Sequence, residues 1–215
     1  RVGVLLNFTA DHLDRHGTLE AYLEAKLRLF DRQEEEDLAI FGPDEALPRA
    51  AAGRGRARRA RFAPDECPGE GAFVHDGMVM LRRGGQEESL LPAAKVALPG
   101  PHNLENALAA AAAAAGLGAS REAIVRSLSA FPGLPHRCEL VGEVRGVRFV
   151  NDSKATNVDS LSVALDAFPP PVVLIAGGRH KDQDFRPLRE KVRGCVSALV
   201  LIGEAADRLA AAWEG

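Results

Sequence analysis

Cysteine is scarce in this 215-residue chain, occurring only as Cys67, Cys138 and Cys195. Three widely spaced thiols fit neither a disulfide framework nor a zinc knuckle, and a reducing cytosol is the simplest setting for them. Long apolar runs are missing as well. The longest, around Ala107 to Ala115, is too short and too rich in alanine to span a bilayer. No signal peptide opens the chain, so a soluble, cytoplasmic protein is expected. No G-x-x-x-x-G-K-[ST] phosphate loop occurs. There is little surplus of either charge, and a formal net charge of -3 exerts no global pull on nucleic acid. A local basic run, Arg54, Arg56, Arg58, Arg59 and Arg61, has no aromatic residues interleaved for base stacking. Set among Ala and Gly between turn residues, it reads as a solvated loop.

What is present is globular: 46% hydrophobic and 27% charged residues, enough for one large domain or two modest ones. The chain runs straight into a strand-like Val2-Gly3-Val4-Leu5-Leu6 and stops on a helical pattern at Trp213-Glu214-Gly215, so both ends read as cuts made inside a fold. After a polar loop from Asn7 to Gly17, Thr18 caps a helix expected from Leu19 to about Asp31, with Leu19, Tyr22, Leu23, Leu27 and Phe30 as its buried stripe. A short strand is expected at Asp37 to Gly42. A weaker β meander follows over Ala72 to Arg82 and Leu90-Leu91, turning at Asp76-Gly77. Pro43 to Gly71 is turn-rich and yields no element. Asn103 is placed to cap a helix from Leu104 to Ala115, and a second helix follows from Ser120 to about Phe131. Beyond Pro132-Gly133-Leu134-Pro135 the pattern changes. Strands at Glu139 to Val144, Val147 to Asn151, Val172 to Ala176 and Ala198 to Ile202 alternate with helices near Val158 to Ala167, Phe185 to Val192 and Glu204 to Trp213. This βαβ repetition predicts an α/β domain with a parallel sheet and right-handed crossovers, and two domains, 1–133 and 134–215.

Ligands of open α/β sheets bind outside the carboxyl ends of the strands. That edge carries Asp152-Ser153-Lys154-Ala155-Thr156-Asn157, Gly177-Gly178-Arg179-His180-Lys181-Asp182, and the turn at Gly203. The first joins an acid, a lysine and two hydroxyls just before a helix N-terminus. The second adds a glycine pair that admits close backbone approach, and Lys181 as a point charge. Together they describe a site for anionic groups, although βα turns are rich in such residues in any case. In the first half, Asp11-His12-Leu13-Asp14-Arg15-His16 gathers groups that bind metal or phosphate and leads into the helix carrying Lys26. A lysine among apolar neighbours either snorkels to water or holds a functional position. A neutral lysine amine can add carbon dioxide to form a carbamate, a carboxylate-like metal ligand. Asn103 and Asn106 stand one helical turn apart, and an amide can offer both a donor and an acceptor to an adenine edge.

These segments together resemble the Mur ligase family. The likeness runs through most of the chain. It is carried by Leu6 to Gly17, Tyr22 to Lys26, Gly100-Pro101-His102-Asn103-Leu104-Glu105-Asn106-Ala107, Leu134-Pro135-His136-Arg137, and Asn151-Asp152-Ser153-Lys154-Ala155-Thr156-Asn157. The last segment is the narrowest and is similar to that of the branch that adds D-glutamate to UDP-N-acetylmuramoyl-L-alanine. The resemblance implies the C-terminal part of a central ATPase domain followed by a Rossmann-like parallel-sheet domain, both truncated. It implies a monomeric, ADP-forming acid–amino-acid ligase of peptidoglycan precursor synthesis that uses ATP and Mg2+. His12 and Lys26, the latter carbamylated, would place magnesium; Asn103 and Asn106 would face the adenine. Arg137 and Asp152 would engage nucleotide phosphates and ribose, Thr156 and Lys181 would hold D-glutamate, and Lys154 would lie close to the reacting groups. In the family the phosphate loop lies upstream of the opening strand, so the chain alone is expected to be inactive. His180 stands where acidic or small residues are more usual and takes no role. Alternatives are a sister ligase of the folylpolyglutamate synthetase type, against which Asn151 to Asn157 argues, and a non-catalytic nucleotide-binding module.

Overall fold

The computed structural model describes residues 1–9, 13–66, 69–179 and 183–214, with the backbone alone of Asp14. It divides into two compact units, Arg1–Pro132 and Gly133–Gly215.

The first unit is built on one six-stranded sheet whose strands lie in chain order. These are β1 (Val2–Leu5), β2 (Leu38–Phe41), β3 (Arg58–Ala63), β4 (Gly71–His75), β5 (Met78–Arg83) and β6 (Gln86–Pro92). The pairings from β1 to β4 are parallel, and β4 to β6 form an antiparallel meander. Asp76 and Gly77, both at positive φ (48° and 72°), make the tight turn between β4 and β5, as their sequence predicts. Its helices are α1 (Leu13–His16), α2 (Leu19–Leu27, running on as a 3-10 turn over Arg28–Phe30), α3 (Ala46–Ala50), α4 (Pro101–Gly116) and α5 (Arg121–Ala130).

The period of two along each strand sorts side chains onto two covered faces. On β2, Leu38 and Ile40 join Ala60, Phe62, Ala72 and Val79 beneath Leu108, Ala111, Ala112 and Ala115 of α4 and Ile124 of α5. Ala39 and Phe41 join Leu5, Leu27, Phe30, Leu47 and Ala51 on the opposite face, under α2 and α3. The alanines of α4 let it lie close to the sheet: a Cβ on Gly116 would come within 2.6 Å of Leu38. Phe62 is 1% exposed at the centre of the larger cluster. Its replacement by Ala is expected to cost about 3–5 kcal/mol, read from the midpoint of urea unfolding.

Three expectations are corrected here. Of the predicted α2 stripe, Leu27 and Phe30 are buried, Tyr22 and Leu23 are half-buried, and Leu19 is exposed. The basic run is only partly a loop: Arg54 and Arg56 lie in the turn before β3, whereas Arg58, Arg59 and Arg61 lie on β3, a strand absent from the sequence reading. Arg59 donates to the carbonyls of Pro48 and Ala51 at 2.8 Å each, and Arg61 to those of Gly42 (3.3 Å) and Pro43 (2.9 Å) while pairing with Glu45. Arg54 pairs with Glu24 and Asp31, and Arg56 with Glu34. Arg59 and Arg61 are thus committed to carbonyls at and around α3, whereas Arg54, Arg56 and Arg58 pair with carboxylates, Arg58 with Glu70 at 3.3 Å. Finally, α4 starts at Pro101 with Gly100 as its N-cap at φ 101°, so Asn103 is not the cap.

The second unit opens with an antiparallel hairpin, β7 (Glu139–Val144) and β8 (Val147–Asn151). The remainder is α6 (Val158–Asp166), β9 (Val172–Gly177), a 3-10 turn over Arg186–Leu188 leading into α7 (Arg189–Cys195), β10 (Val196–Ile202) and α8 (Ala206–Trp213). β9 and β10 pair in parallel across α7. The hairpin strands pair only with each other among the described residues, so the parallel sheet is carried by β9 and β10 rather than by four strands. Leu165, Leu188, Val192, Leu209 and Trp213 pack with Leu174, Ala176, Leu199 and Leu201 on one face of that pair. The Trp213 indole N–H donates to the Phe185 carbonyl at 2.9 Å, pinning α8.

Candidate functional site

In the first unit the loop after β1 leads through α1 to α2, where Thr18 caps the helix by accepting from the Ala21 N–H at 3.1 Å. Tyr22, one turn in, is a hub. Its ring centroid lies 5.3 Å from that of Phe8 and 5.0 Å from that of His16. Lys26, a further turn along the same face, is half-buried and sets its Nζ 4.8 Å from the Tyr22 centroid. The amine is thus held against a ring instead of being extended into water. Sequence periodicity counted Tyr22 only as an apolar stripe residue and did not single out this contact.

Asn103 and Asn106 both lie on α4, in its first two turns. The Asn103 Nδ2 donates to the Pro99 carbonyl at 2.7 Å, tying the helix start to the preceding turn, whereas Asn106 is exposed. Only Asn106 presents an uncommitted amide.

In the second unit the segment from Asn151 to Val158 is fastened at several points. The Cys138 N–H donates to Asp152 Oδ1 at 3.0 Å, and the Lys154 N–H to the His136 carbonyl at 3.1 Å. Asn151 Nδ2 meets His136 Nδ1 at 2.8 Å, and the Ala155 N–H closes a turn on the Asp152 carbonyl at 2.8 Å. His136 and Cys138 take up positive φ (65° and 45°), which bends the chain so that its amides and carbonyl face this segment. Burial, and then the neighbouring Asp152 carboxylate, push the Cys138 thiol above the usual thiol range. On this frame Arg137, Lys154 and Thr156 are exposed, and Asp152 is half-buried. Arg137 and Lys154 make no ion pair among the described residues.

The N-terminus of α6 is less open to an anion than its sequence suggests. Asn157 accepts from the Ser160 N–H at 2.8 Å, and Gln183 Oε1 accepts from the Val158 N–H at 3.1 Å. With those amides spoken for, the start of α6 keeps fewer free N–H donors for a ligand. Gln183 also donates through Nε2 to the Thr156 carbonyl at 3.2 Å. Nothing in the sequence marks this glutamine, which reads as one polar residue in a turn. The ends of β9 and β10 approach each other closely. A Cβ on Gly177 would lie 1.8 Å from the Ile202 carbonyl oxygen, and the Gly178 N–H donates to that oxygen at 3.1 Å.

His12, Cys67, His180 and Lys181 fall outside the described residues. Among the described residues no group of three or more His, Cys, Asp or Glu gathers that could hold a metal ion. No described helix is long and apolar enough to cross a membrane.

Residues 1–114 match the Mur ligase middle domain, and residues 136–215 match the Mur ligase glutamate ligase domain. The chain belongs to the Mur ligase family. Among curated Mur ligases, the UDP-N-acetylmuramoylalanine--D-glutamate ligase of Desulfitobacterium hafniense is 46% identical over 97% of this chain, which spans 46% of that protein. The ligase of the same name from Acidobacterium capsulatum is 43% identical, again over 97% of this chain and 46% of its own length. The chain therefore spans about half the length of the curated relatives it matches. Among solved structures, MurF of Acinetobacter baumannii matches 99% of this chain and 48% of its own with a TM-score of 0.73 at 20% identity. A bifunctional folylpolyglutamate synthase/dihydrofolate synthase, solved with Mn, AMPPNP and L-glutamate bound, matches 98% of this chain and 51% of its own with a TM-score of 0.67 at 23% identity. These two likenesses concern the fold, and with the domain matches they establish the α/β Mur ligase architecture, middle domain followed by C-terminal domain.

Proposed function

We propose that the chain is part of an ATP-dependent ligase that joins D-glutamate to UDP-N-acetylmuramoyl-L-alanine in peptidoglycan precursor synthesis. The observation that carries this reading is the 46% identity to a D-glutamate ligase over 97% of the chain. Residues 1–133 would belong to the ATP-binding domain and 134–215 to the domain that receives the amino acid. The enzyme would work as a cytoplasmic monomer.

On this reading the precursor's terminal carboxylate oxygen attacks the γ-phosphorus of ATP. The bond from that phosphorus to the bridging oxygen breaks, ADP leaves, and an acyl phosphate remains. The D-glutamate amine, having lost a proton, then attacks the acyl carbon. A C–N bond forms, the nitrogen gives up its second proton to solvent, and the C–O bond to phosphate breaks with its electron pair going to the departing phosphate. Both steps bring anions together, so fixed positive charge and oriented amides stabilise their transition states. Lys154 and Arg137 supply such charge from a backbone fastened to His136 and Asp152. Arg137 and Asp152 would hold nucleotide phosphates and ribose, and Asn106, with Asn103 securing the helix start, would face the adenine. Thr156 and Lys181 would take the two carboxylates of D-glutamate. Lys26 as a carbamate, with His12, would hold magnesium; the carbamate oxygens suit this hard ion, which supplies charge neutralisation at the phosphates when bound. The test is phosphate release by the full-length enzyme from ATP and UDP-N-acetylmuramoyl-L-alanine, with D-glutamate, L-glutamate, L-lysine or diaminopimelate offered in parallel. Release that requires D-glutamate is expected. Release with another amino acid would keep the ligase chemistry and reject the substrate, and no release with any of them would reject both.

A further inference from the structure

Resting on the D-glutamate reading, we infer that Gln183 is a positioning residue for the amino-acid substrate, clamping the backbone on either side of Asn157 so that Thr156 faces its ligand in a fixed orientation. The carboxamide works at both ends. Its Nε2 donates to the Thr156 carbonyl at 3.2 Å and its Oε1 accepts from the Val158 N–H at 3.1 Å. A primary amide spanning residues i and i+2 of a neighbouring segment copies the pairing of an adjacent β-strand, and it fixes the peptide planes on both sides of Asn157. Asn157 is then free to cap α6 through the Ser160 N–H at 2.8 Å.

Without this clamp the Thr156 carbonyl and the first amide of α6 would turn to water, and Thr156 would be held only through its neighbours, by the Asn157 cap downstream and by the fastenings at Asn151, Asp152 and Lys154 upstream. Thr156 lies beyond the last of these, so its orientation depends on Gln183 more than that of Lys154 does. Gln183 also belongs to the stretch between β9 and α7 that carries Lys181 in sequence, so the clamp ties together the two segments to which D-glutamate binding is assigned. A residue acting this way affects the amino acid selectively, leaving the nucleotide and the muramoyl precursor to other groups.

The test compares the full-length enzyme with its Gln183→Ala and Gln183→Met variants, each substrate varied with the others saturating. Met keeps the length and packing of Gln but neither hydrogen bond. Both variants are expected to raise KM for D-glutamate roughly tenfold, the scale of two neutral hydrogen bonds, with KM for ATP changed less than about twofold. Amide hydrogen exchange at Thr156 to Ser160 should quicken in both, and thermal melting should move little. Wild-type-like KM for D-glutamate in Gln183→Met would overturn the inference, since packing alone would then suffice. So would equal changes in the KM values for ATP and D-glutamate, or a lowered melting temperature with no change in KM. If the unsubstituted enzyme does not use D-glutamate, it is the proposed function that fails, and the exchange experiment still decides whether Gln183 holds the segment.

Discussion

Replacing Lys26 by Ala in the full-length enzyme is expected to lower kcat/KM for ligation by at least about a thousandfold, the scale of removing a group that stabilises transition-state charge directly. The fold should survive. Lys26 is half-buried on α2, and its described interaction is with the Tyr22 ring, 4.8 Å from Nζ. Loss of one such contact costs about 0.5–1 kcal/mol. Lys26→Arg sharpens the test, because arginine retains the positive charge and the ring contact but cannot become a carbamate. It is expected to be as inactive as Lys26→Ala. Appreciable activity in Lys26→Arg would mean that the charge matters and the carbamate does not. Labelling with 13C-bicarbonate offers a readout independent of turnover: a carbamate carbon signal should appear in the unsubstituted enzyme and vanish in both variants, while persisting in Lys154→Ala.

The sequence makes legible those elements whose period is simple. The alanine-rich α4, the strands β9 and β10 with their apolar runs Val172 to Ala176 and Ala198 to Ile202, and the hairpin turn at Asp76-Gly77 follow from spacing and turn chemistry alone. β3 escapes because Arg58, Arg59 and Arg61 mask its alternation. Strand reading takes arginine as outward and polar, yet Arg59 and Arg61 lie along the sheet and cap the carbonyls of Pro48, Ala51, Gly42 and Pro43. The start of α4 is displaced for a different reason. Asn103 has capping chemistry, but Gly100 at φ 101° and Pro101 begin the helix earlier, leaving Asn103 to reach back to Pro99. Within the candidate site, the chemical residue types at Asp152, Lys154 and Thr156 stand out in the sequence because they cluster. Their support does not: the bonds from Cys138, His136 and Gln183 join positions distant in the chain, and no local pattern encodes them.

Asp152 joins these two levels, and two substitutions separate its roles. Its Oδ1 accepts the Cys138 N–H at 3.0 Å, a partly buried bond that holds the turn carrying Arg137. On the proposed reading its carboxylate also meets the nucleotide. Asp152→Asn can retain an acceptor oxygen at that place while removing the charge. It is expected to raise KM for ATP at least about tenfold with little change in melting temperature, because a charged hydrogen bond is worth about 1.5–3 kcal/mol. Asp152→Ala removes both functions. It should produce the same nucleotide defect and, in addition, a stability loss of about 1–3 kcal/mol from leaving the Cys138 amide unpaired. The neighbouring thiol reports the charge separately. With the carboxylate gone, one of the influences that push Cys138 above the usual thiol range is gone too, so alkylation of Cys138 should begin at lower pH in either variant. A destabilised Asp152→Ala whose KM for ATP matches the unsubstituted enzyme would leave Asp152 the latch for Cys138 and remove it from the nucleotide site; unchanged stability with a raised KM would mean that the bond to Cys138 is dispensable.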